Sequence, residues 1–325
     1  MHKRILYIGL GGAGQRHLRI IKKILPEAIC FAFRARNKTP LLNSDFSVNT
    51  NITLEEKYGI NIYNDLDEAY LNKPDLVIIS TPTSMHYEHI KRASNEGAAI
   101  IVEKPGSISY KEAIDLSAIL KNNKTKFLVS FQRRFHPYVL ELKRQLSEGT
   151  LNDIREIMID VFSHVPSWHP YEDYKSLYAC KATLGGGVLL TESHEIDFII
   201  WLFGYPKSIE SKLMTKKELD LDVEDSAFIK LNYINFYVNI NLNFMSEITK
   251  RIMTIKNLDR TIVLDFDSNN HNFNYIDNEN RTIDNLSNDS LFENQFKYFL
   301  SKNYNSEEYI EALVNNLMLI SECKK

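Results

Sequence analysis

Cysteine is scarce in this chain: three in 325 residues, Cys30, Cys180 and Cys323. They form no CxxC pair and no ligand spacing, which argues against a zinc site or a disulfide framework and suits a reducing cytoplasm. A basic excess is also missing. Lys and Arg number 39 against 42 Asp and Glu, a formal charge of −3, whereas a nucleic-acid binder carries a positive surplus. Long apolar runs are lacking too. Lys3 and Arg4 ahead of Ile5-Leu6-Tyr7-Ile8 imitate the start of a signal peptide, but a glycine cluster ends the run and Arg16 and His17 follow, too short for an h-region. The most apolar later stretch, residues 196–203, falls far short of a bilayer span. With no internal repeat or low-complexity linker either, the chain reads as a cytoplasmic globular protein with no nucleic-acid, membrane or metal partner.

What is present is ordinary globular material, 44% hydrophobic and 25% charged, long enough for two domains because single cores rarely grow past about 250–300 residues. Strand-length apolar runs at residues 5–8, 29–33, 76–80, 99–102 and 127–129 alternate with helix-like stretches at 13–25, 65–71, 85–95 and 110–121. Short apolar strands alternating with helices predict a doubly wound parallel sheet buried on both faces. Beyond about residue 150 the period becomes two. Phe236, Val238, Ile240, Leu242 and Phe244 alternate with Tyr237, Asn239, Asn241 and Asn243, and residues 157–161, 209–213 and 262–266 behave alike. That is the pattern of strands with one wet face. The Asn- and Asp-rich stretch 265–289 predicts turns and strand edges, and 292–320 two amphipathic helices broken near 303–306. The expected fold is therefore α/β: a domain on a doubly wound parallel sheet over 1–127, then a second domain with an antiparallel sheet over 128–325.

The first strand runs into Gly9-Leu10-Gly11-Gly12-Ala13-Gly14 and then a helical segment. A GxGxxG is weak alone, but here it has the required strand before it and helix after it. Gly9 permits the tight turn, Gly11 lets backbone approach a pyrophosphate, and Gly14 lets the helix pack on the sheet. Helix amides around Gly12 and Ala13 would meet the phosphates. The end of the second strand lacks the carboxylate that an NAD site places on the ribose 2′-hydroxyl. It reads Phe33-Arg34-Ala35-Arg36-Asn37. A guanidinium grips a 2′-phosphate with paired bonds, so NADP is favoured over NAD, with Arg36 the first candidate and Arg34 the second.

Val102-Glu103-Lys104-Pro105 closes a parallel strand, and the carboxyl ends of such strands line the ligand crevice. A lysine there suits chemistry. The residues alone leave a surface lysine before a loop proline equally open, and Pro105 restricts Lys104 to an extended backbone and could itself be cis. The order of the glycine loop, Thr81-Pro82 with His86, Glu103-Lys104-Pro105, Gly185-Gly186-Gly187-Val188-Leu189-Leu190, His194, Asp197 and Trp201-Leu202-Phe203-Gly204 resembles the glucose–fructose oxidoreductase / inositol dehydrogenase (Gfo/Idh/MocA) family through most of the chain. The resemblance implies an NAD(P)-dependent sugar oxidoreductase built as a Rossmann domain followed by an α/β domain on an open, mostly antiparallel sheet, whose free face joins subunits into a homodimer or homotetramer. It makes Lys104 the lysine beside nicotinamide and the reacting carbon, His194 the histidine handling the hydroxyl proton, Thr81 and Pro82 a turn bordering the dinucleotide, and Glu103 a contact to the nicotinamide side. His86 belongs to the same cofactor wall.

One departure stands out. Where many members carry Asp shortly before the histidine, this chain has Thr191 in Thr191-Glu192-Ser193-His194, and Glu192, offset by one residue, is the nearest replacement. Asp197, one turn after His194, could orient its ring or cap the helix. Arg133, Trp168, His169, Tyr174 and Lys181 join Lys104, Thr191 and His194 as candidate substrate contacts. Their cationic and aromatic types suit a sugar acid or nucleotide-linked sugar, and ordinary domain packing explains them equally well. Two other functions remain open: a redox-neutral epimerase or hydrolase that retains its dinucleotide, and a non-enzymatic dinucleotide sensor, to which Thr191 lends weight.

Overall fold

Short runs of β-branched and aliphatic residues flanked by glycine and polar residues form strands here because both of their faces are covered. The computed structural model describes residues 3–34, 40–43, 47–169, 172–266, 273–276, 281–283 and 287–325. By internal contacts the chain divides into two units, residues 1–130 with 292–314, and residues 131–291 with 315–325.

In the first unit the elements follow in the order β1 (Arg4–Ile8), α1 (Gly12–Ile24), β2 (Ile29–Phe33), β3 (Leu41–Leu42), β4 (Val48–Asn49), α2 (Leu54–Tyr58), β5 (Asn61–Tyr63), α3 (Leu66–Tyr70), β6 (Leu76–Ile79), α4 (His86–Asn95), β7 (Ala99–Val102), α5 (Tyr110–Asn122) and β8 (Phe127–Val129). Six of these strands form one parallel sheet in the order β5-β2-β1-β6-β7-β8. Ile5 to Ile8, Val77 to Ile79 and Phe127 to Val129 are fully buried, as a sheet covered on both faces requires. The strand order reverses between β1 and β6, the switch point where doubly wound sheets bind ligands. β5, three residues long, and the small β3–β4 hairpin were not expected from the apolar pattern.

The second unit begins with α6 (Pro137–Ser147), followed by β9 (Glu156–His164), α7 (Val188–Thr191), α8 (Ser193–Phe203), β10 (Ser208–Met214), β11 (Ser226–Asn232), β12 (Tyr237–Asn243), β13 (Met245–Lys256), β14 (Thr261–Asp265), β15 (Phe273–Ile276) and β16 (Arg281–Ile283). The strands form one sheet in the order β10-β11-β12-β9-β13-β14-β15-β16, antiparallel throughout except for the parallel pair β12–β9. The period-two reading holds along β12, where Val238, Ile240 and Leu242 are buried while Asn239, Asn241 and Asn243 are part-exposed, but Phe236 lies before that strand and is part-exposed, and neither side of β10 is buried.

Two helices end the chain, α9 (Asn288–Leu300) and α10 (Ser306–Cys323), broken where the sequence placed the break. Residues 292–314 fall with the first unit rather than within a single block from 128 onward. The reason is β8: Ser306 Oγ accepts from the Phe127 amide at 3.3 Å, the Tyr304 hydroxyl donates to the Phe127 carbonyl, and Gln295 donates to Ser130 Oγ at 2.9 Å. Among the described residues no helix is long and apolar enough to cross a membrane.

His136 caps α6, its Nδ1 accepting from the Tyr138 amide at 3.2 Å. Burial, with help from the Arg133 charge, pushes its imidazole down from 6.5 to about 3. A histidine neutral when folded and free to protonate when unfolded stabilises the fold above pH 6.5, and that contribution is lost as pH falls toward about 3. Both tryptophans, Trp168 and Trp201, lie in the second unit. Urea unfolding followed by their fluorescence is therefore expected to show stability falling as pH drops below 6.5. His136→Asn keeps a cap acceptor without a titrating ring, and should remove about 1.4 kcal/mol per pH unit from that slope. An unchanged slope would take His136 out of the acid response.

Candidate active site

The glycine loop divides its work among three positions. Gly9 has φ +97°, and a Cβ there would stand 2.8 Å from the Ser80 carbonyl oxygen. A Cβ on Gly14 would stand 2.3 Å from the Gly9 carbonyl oxygen and 2.6 Å from Ser80 Oγ, which itself donates to Gly9 O at 2.9 Å. A Cβ on Gly11 would meet nothing within 4 Å. The first and third glycines therefore serve close packing of β1, α1 and β6, while the second faces open space. Gly11 is the N-cap of α1 without a side-chain cap bond, and the first turn carries no acidic residue. This turn, with Gly12 and Ala13, keeps its amide donors and partial positive charge available, so the loop fits a pyrophosphate. Gln15 braces it from behind, donating to the carbonyls of Leu10 at 3.0 Å and Pro40 at 2.8 Å and accepting from the Leu42 amide at 2.8 Å.

Arg36 lies outside the described residues. Arg34 follows β2, its amide donating to Tyr63 O at 3.1 Å. Its guanidinium is 10% exposed, with Nη1 3.6 Å from Glu55 Oε1. Nε and Nη2 are buried with no hydrogen-bond partner among the described residues. An arginine so placed retains donors for an anion.

At the carboxyl end of β6, Thr81 and Pro82 lead into α4. His86, buried and pushed down to about 4 by desolvation, is neutral, and its Nε2–H donates to the Thr81 carbonyl at 2.9 Å. His86 thus shapes the turn through the backbone. At the end of β7, Glu103 accepts from His17 Nε2 at 2.8 Å. Burial would raise the Glu103 carboxyl, but the His17 bond and the charges of His17, Lys104 and Arg16 outweigh it and hold the group below its ordinary range. Lys104 is half-buried, and its bond to Pro105 is cis.

In the second unit His194 is the second residue of α8 and 6% exposed. Its Nε2 lies 3.4 Å from the Gln132 amide nitrogen, and the edge of the Phe131 ring meets it at 6.2 Å between centroids. Asp197 accepts two bonds of 2.7 Å from Arg134 Nε and Nη2 in a buried fork. Being the fifth residue of α8, it sits inside the helix rather than at its cap. Glu192 forms the break between α7 and α8 at φ −98°, ψ 37°. It does not take over as an uncommitted carboxylate at the Thr191 position, because Arg251 of β13 holds it at 2.6 Å and holds Glu195 at 2.5 Å. Arg133 adds a second guanidinium 3.8 Å from Glu195. Burial and the nearby Arg251 charge lower Arg133 to about 10, against the opposing pull of Glu195 and Glu192. For Arg251 burial acts downward too, but the two carboxylates outweigh it and hold the guanidinium charged.

The glycine triplet of this unit is structural. A Cβ on Gly186 would meet Tyr178 O at 2.5 Å, and one on Gly187 (φ +104°) would meet the Glu224 carboxylate at 2.4 Å. Thr191 is buried at 4% exposure. Trp168 packs edge-on against Phe244 with centroids 5.3 Å apart, Tyr174 donates its hydroxyl to Leu219 O at 3.2 Å, His169 pairs with Glu172 at 2.7 Å, and Lys181 is half-buried. His17, Arg251 and Gln132 are side chains bonded to candidate site residues or their neighbours that sequence reasoning did not assign. Only His17 left a signal: it shares the buried face of α1 with Gly14, Leu18 and Ile21.

A six-stranded parallel sheet with a phosphate-type glycine loop at its switch point, joined in one chain to a largely antiparallel sheet, defines a two-part dinucleotide-binding protein. The family follows from comparison. The model of the oxidoreductase family with NAD-binding Rossmann fold matches residues 3–131, and that of the GFO/IDH/MocA C-terminal domain matches 139–255. The chain belongs to the Gfo/Idh/MocA oxidoreductase family. It is 31% identical over 179 residues to an uncharacterized oxidoreductase of Schizosaccharomyces pombe, covering 54% of this chain and 47% of that protein. It is 28% identical over 172 residues to a scyllo-inositol 2-dehydrogenase (NADP(+)) of Bacillus subtilis, covering 51% and 45%. In each case the match spans about half the length of the relative. Among solved structures, the WlbA dehydrogenase of Bordetella pertussis, in complex with NADH and UDP-GlcNAcA, shares the fold with a TM-score of 0.77 at 16% identity over 100% of this chain and 97% of that one.

The Arg251 fork yields a stability test. Removing one partner of a buried charge set leaves uncompensated carboxylates and costs about 3–5 kcal/mol. Arg251→Met is expected to lower the urea stability of the second unit by about that amount, read by tryptophan fluorescence. A loss below about 1 kcal/mol would mean the cluster behaves as a solvent-screened surface pair.

Proposed function

We propose that the protein is an NAD(P)-dependent oxidoreductase moving a hydride between nicotinamide and a hydroxyl-bearing carbon of a sugar, sugar acid or nucleotide-linked sugar. The observation that carries this reading is the open side of Gly11 at an uncapped helix start, between two glycines that packing does not allow to be anything else. Family membership and the inositol and nucleotide-sugar ligands named for the Bacillus and Bordetella proteins support the substrate class.

A bound nicotinamide dinucleotide would accept or supply the hydride. The amides of Gly11, Gly12 and Ala13 bind its pyrophosphate, Thr81 and Pro82 border it with His86 holding their turn, and Glu103 stands on the nicotinamide side. Arg34, with Arg36, takes the 2′-phosphate and makes NADP the preferred form over NAD. In the oxidation direction His194 takes up the hydroxyl proton, its ring steadied by the Gln132 amide. Lys104 donates to the oxygen on the reacting carbon. Thr191, Trp168, His169 and Tyr174 shape the substrate side, and the cationic heads of Arg133 and Lys181 suit a carboxylate or phosphate on the sugar. Two or four copies associate through the polar face of the second unit's sheet, in keeping with the two-fold symmetry most oligomers adopt. Light scattering showing only monomers would remove that last element.

The test is turnover with a panel of sugars, sugar acids and nucleotide sugars, followed by nicotinamide fluorescence. A positioned general base contributes about 10²–10⁴-fold. His194→Asn is expected to lose that much in kcat while binding dinucleotide as before, and activity within about tenfold of wild type would end its assignment. Hydrogen bonds to charged groups contribute about 1.5–3 kcal/mol, so Arg34→Ala should weaken NADPH binding by roughly 10–100-fold and leave NADH binding unaltered. An equal effect on both dinucleotides would remove the 2′-phosphate role.

A further inference from the structure

The end of β2 carries Arg34 where an NAD site carries a carboxylate, yet a carboxylate stands beside it in space. It comes from α2, a short helix fixed at both ends. Thr53 caps the start: its Oγ1 accepts from the Glu56 amide at 3.2 Å, and the Glu56 carboxylate accepts from the Thr53 amide at 3.0 Å and hydroxyl at 2.8 Å. Gly59 closes the end at φ +59°, donating to the Glu55 carbonyl at 2.9 Å, and Leu54 is buried beneath. Glu56 is thus spent on the cap. Glu55 reaches Arg34 instead, its Oε1 lying 3.6 Å from Nη1. That separation gives charge compensation without a hydrogen bond. The carboxylate is 43% exposed and the guanidinium 10%. Glu55 faces the Nη1 end, while the Nε–Nη2 edge, the one that grips phosphate in parallel bonds, has no hydrogen-bond partner among the described residues.

We propose that Glu55 is a specificity-determining residue: as the resident counter-charge of Arg34, it holds the preference for a 2′-phosphate below what an uncompensated guanidinium would give, so that a dinucleotide with a free 2′-hydroxyl is accepted as well. This deepens the proposed reading and rests on it for the dinucleotide. A ligand without the phosphate leaves Arg34 facing Glu55, and no cation is stranded. A 2′-phosphate gains the attraction of Arg34 but also meets the like charge of Glu55, and the two Coulomb contributions oppose each other.

The measurement is isothermal titration calorimetry of the full-length protein with adenosine 2′,5′-bisphosphate and with 5′-AMP, which differ only in the 2′-phosphate. A part-exposed ion pair contributes up to about fivefold, and the lifted repulsion adds to it, so Glu55→Gln is expected to tighten the bisphosphate by roughly three- to tenfold. Binding of 5′-AMP should stay within about twofold, because solvent screens its more distant phosphate. Glu55→Ala should behave like Glu55→Gln, whereas Glu55→Asp, which keeps the charge, should stay near wild type. A residue that merely supports α2 would shift both ligands together. In an Arg34→Ala background the gain from Glu55→Gln should fall below about twofold, since no guanidinium remains to be released. Unchanged or weaker bisphosphate binding in both Glu55→Gln and Glu55→Ala, equal tightening of the two ligands, or no binding of either ligand by any variant would overturn the proposal. Binding needs no turnover, so the two readings fail separately. A protein inactive on every sugar whose bisphosphate affinity answers to Glu55 sinks the proposed function alone. An active enzyme whose ligand preference ignores Glu55 sinks this inference alone.

Discussion

Everything in the first unit depends on how near α1 can come to the ends of β1 and β6. The limit is set by bare backbone: a methyl group at Gly14 would lie 2.3 Å from the Gly9 carbonyl oxygen, well inside van der Waals contact. With hydrogen there, the helix starts directly over the switch point and its amides face the open side of Gly11. The same approach carries the second turn of α1 over the end of β7, where His17 reaches Glu103. A helix displaced by the thickness of a methyl group would loosen the phosphate turn and break the 2.8 Å contact to the carboxylate together. One packing constraint thus governs both the place for phosphate and the His17–Glu103 contact at the end of β7.

The second unit solves a different problem, that of burying charge around a helix start. Arg133 and Arg251 face Glu192 and Glu195, and Arg134 faces Asp197. Opposite signs match within this group, so desolvation is offset by short bonds rather than by water. Such sets add little net stability compared with apolar side chains of the same size, but losing one member is severe. They fix geometry instead. The Arg251 fork spans the break between α7 and α8, and the Arg134 fork grips α8 one turn further along, so the helix start bearing His194 is held from β13 and from the turn at 132–135.

Legibility in the sequence followed the range of the interactions. The buried strands of the first unit were readable because each is a continuous apolar run, and the glycine loop because its three roles lie within six residues. β5 escaped notice since it has three residues and begins with an exposed Asn61. β11 escaped because Phe228, an apolar residue on the exposed side, breaks the alternation of Ala227, Ile229 and Leu231. β13 escaped because its pairing with β9 shifts register between Met245 and Lys250. The site was legible only where its residues are local. His17 and Glu103 are 86 positions apart, and Arg251 lies 56 and 59 from its two carboxylates. No local pattern encodes such pairs. Asp197 and Glu192 were read as possible servants of His194 because they are near it in sequence, whereas arginines from elsewhere in the fold hold both.

The Thr191 departure has a physical consequence. A carboxylate beside a histidine both orients the ring and favours its charged form. In this chain the carboxylates flanking His194 along α7 and α8 are turned to Arg251 and Arg134, and the Gln132 amide lies within reach of Nε2. An amide orients an imidazole without adding charge. The proton handling proposed for His194 would thus have its ring steadied by the Gln132 amide of the turn at 132–135 rather than by a carboxylate at position 191. That steadying depends on the Arg134 fork, which binds the same turn to α8 one helical turn beyond His194.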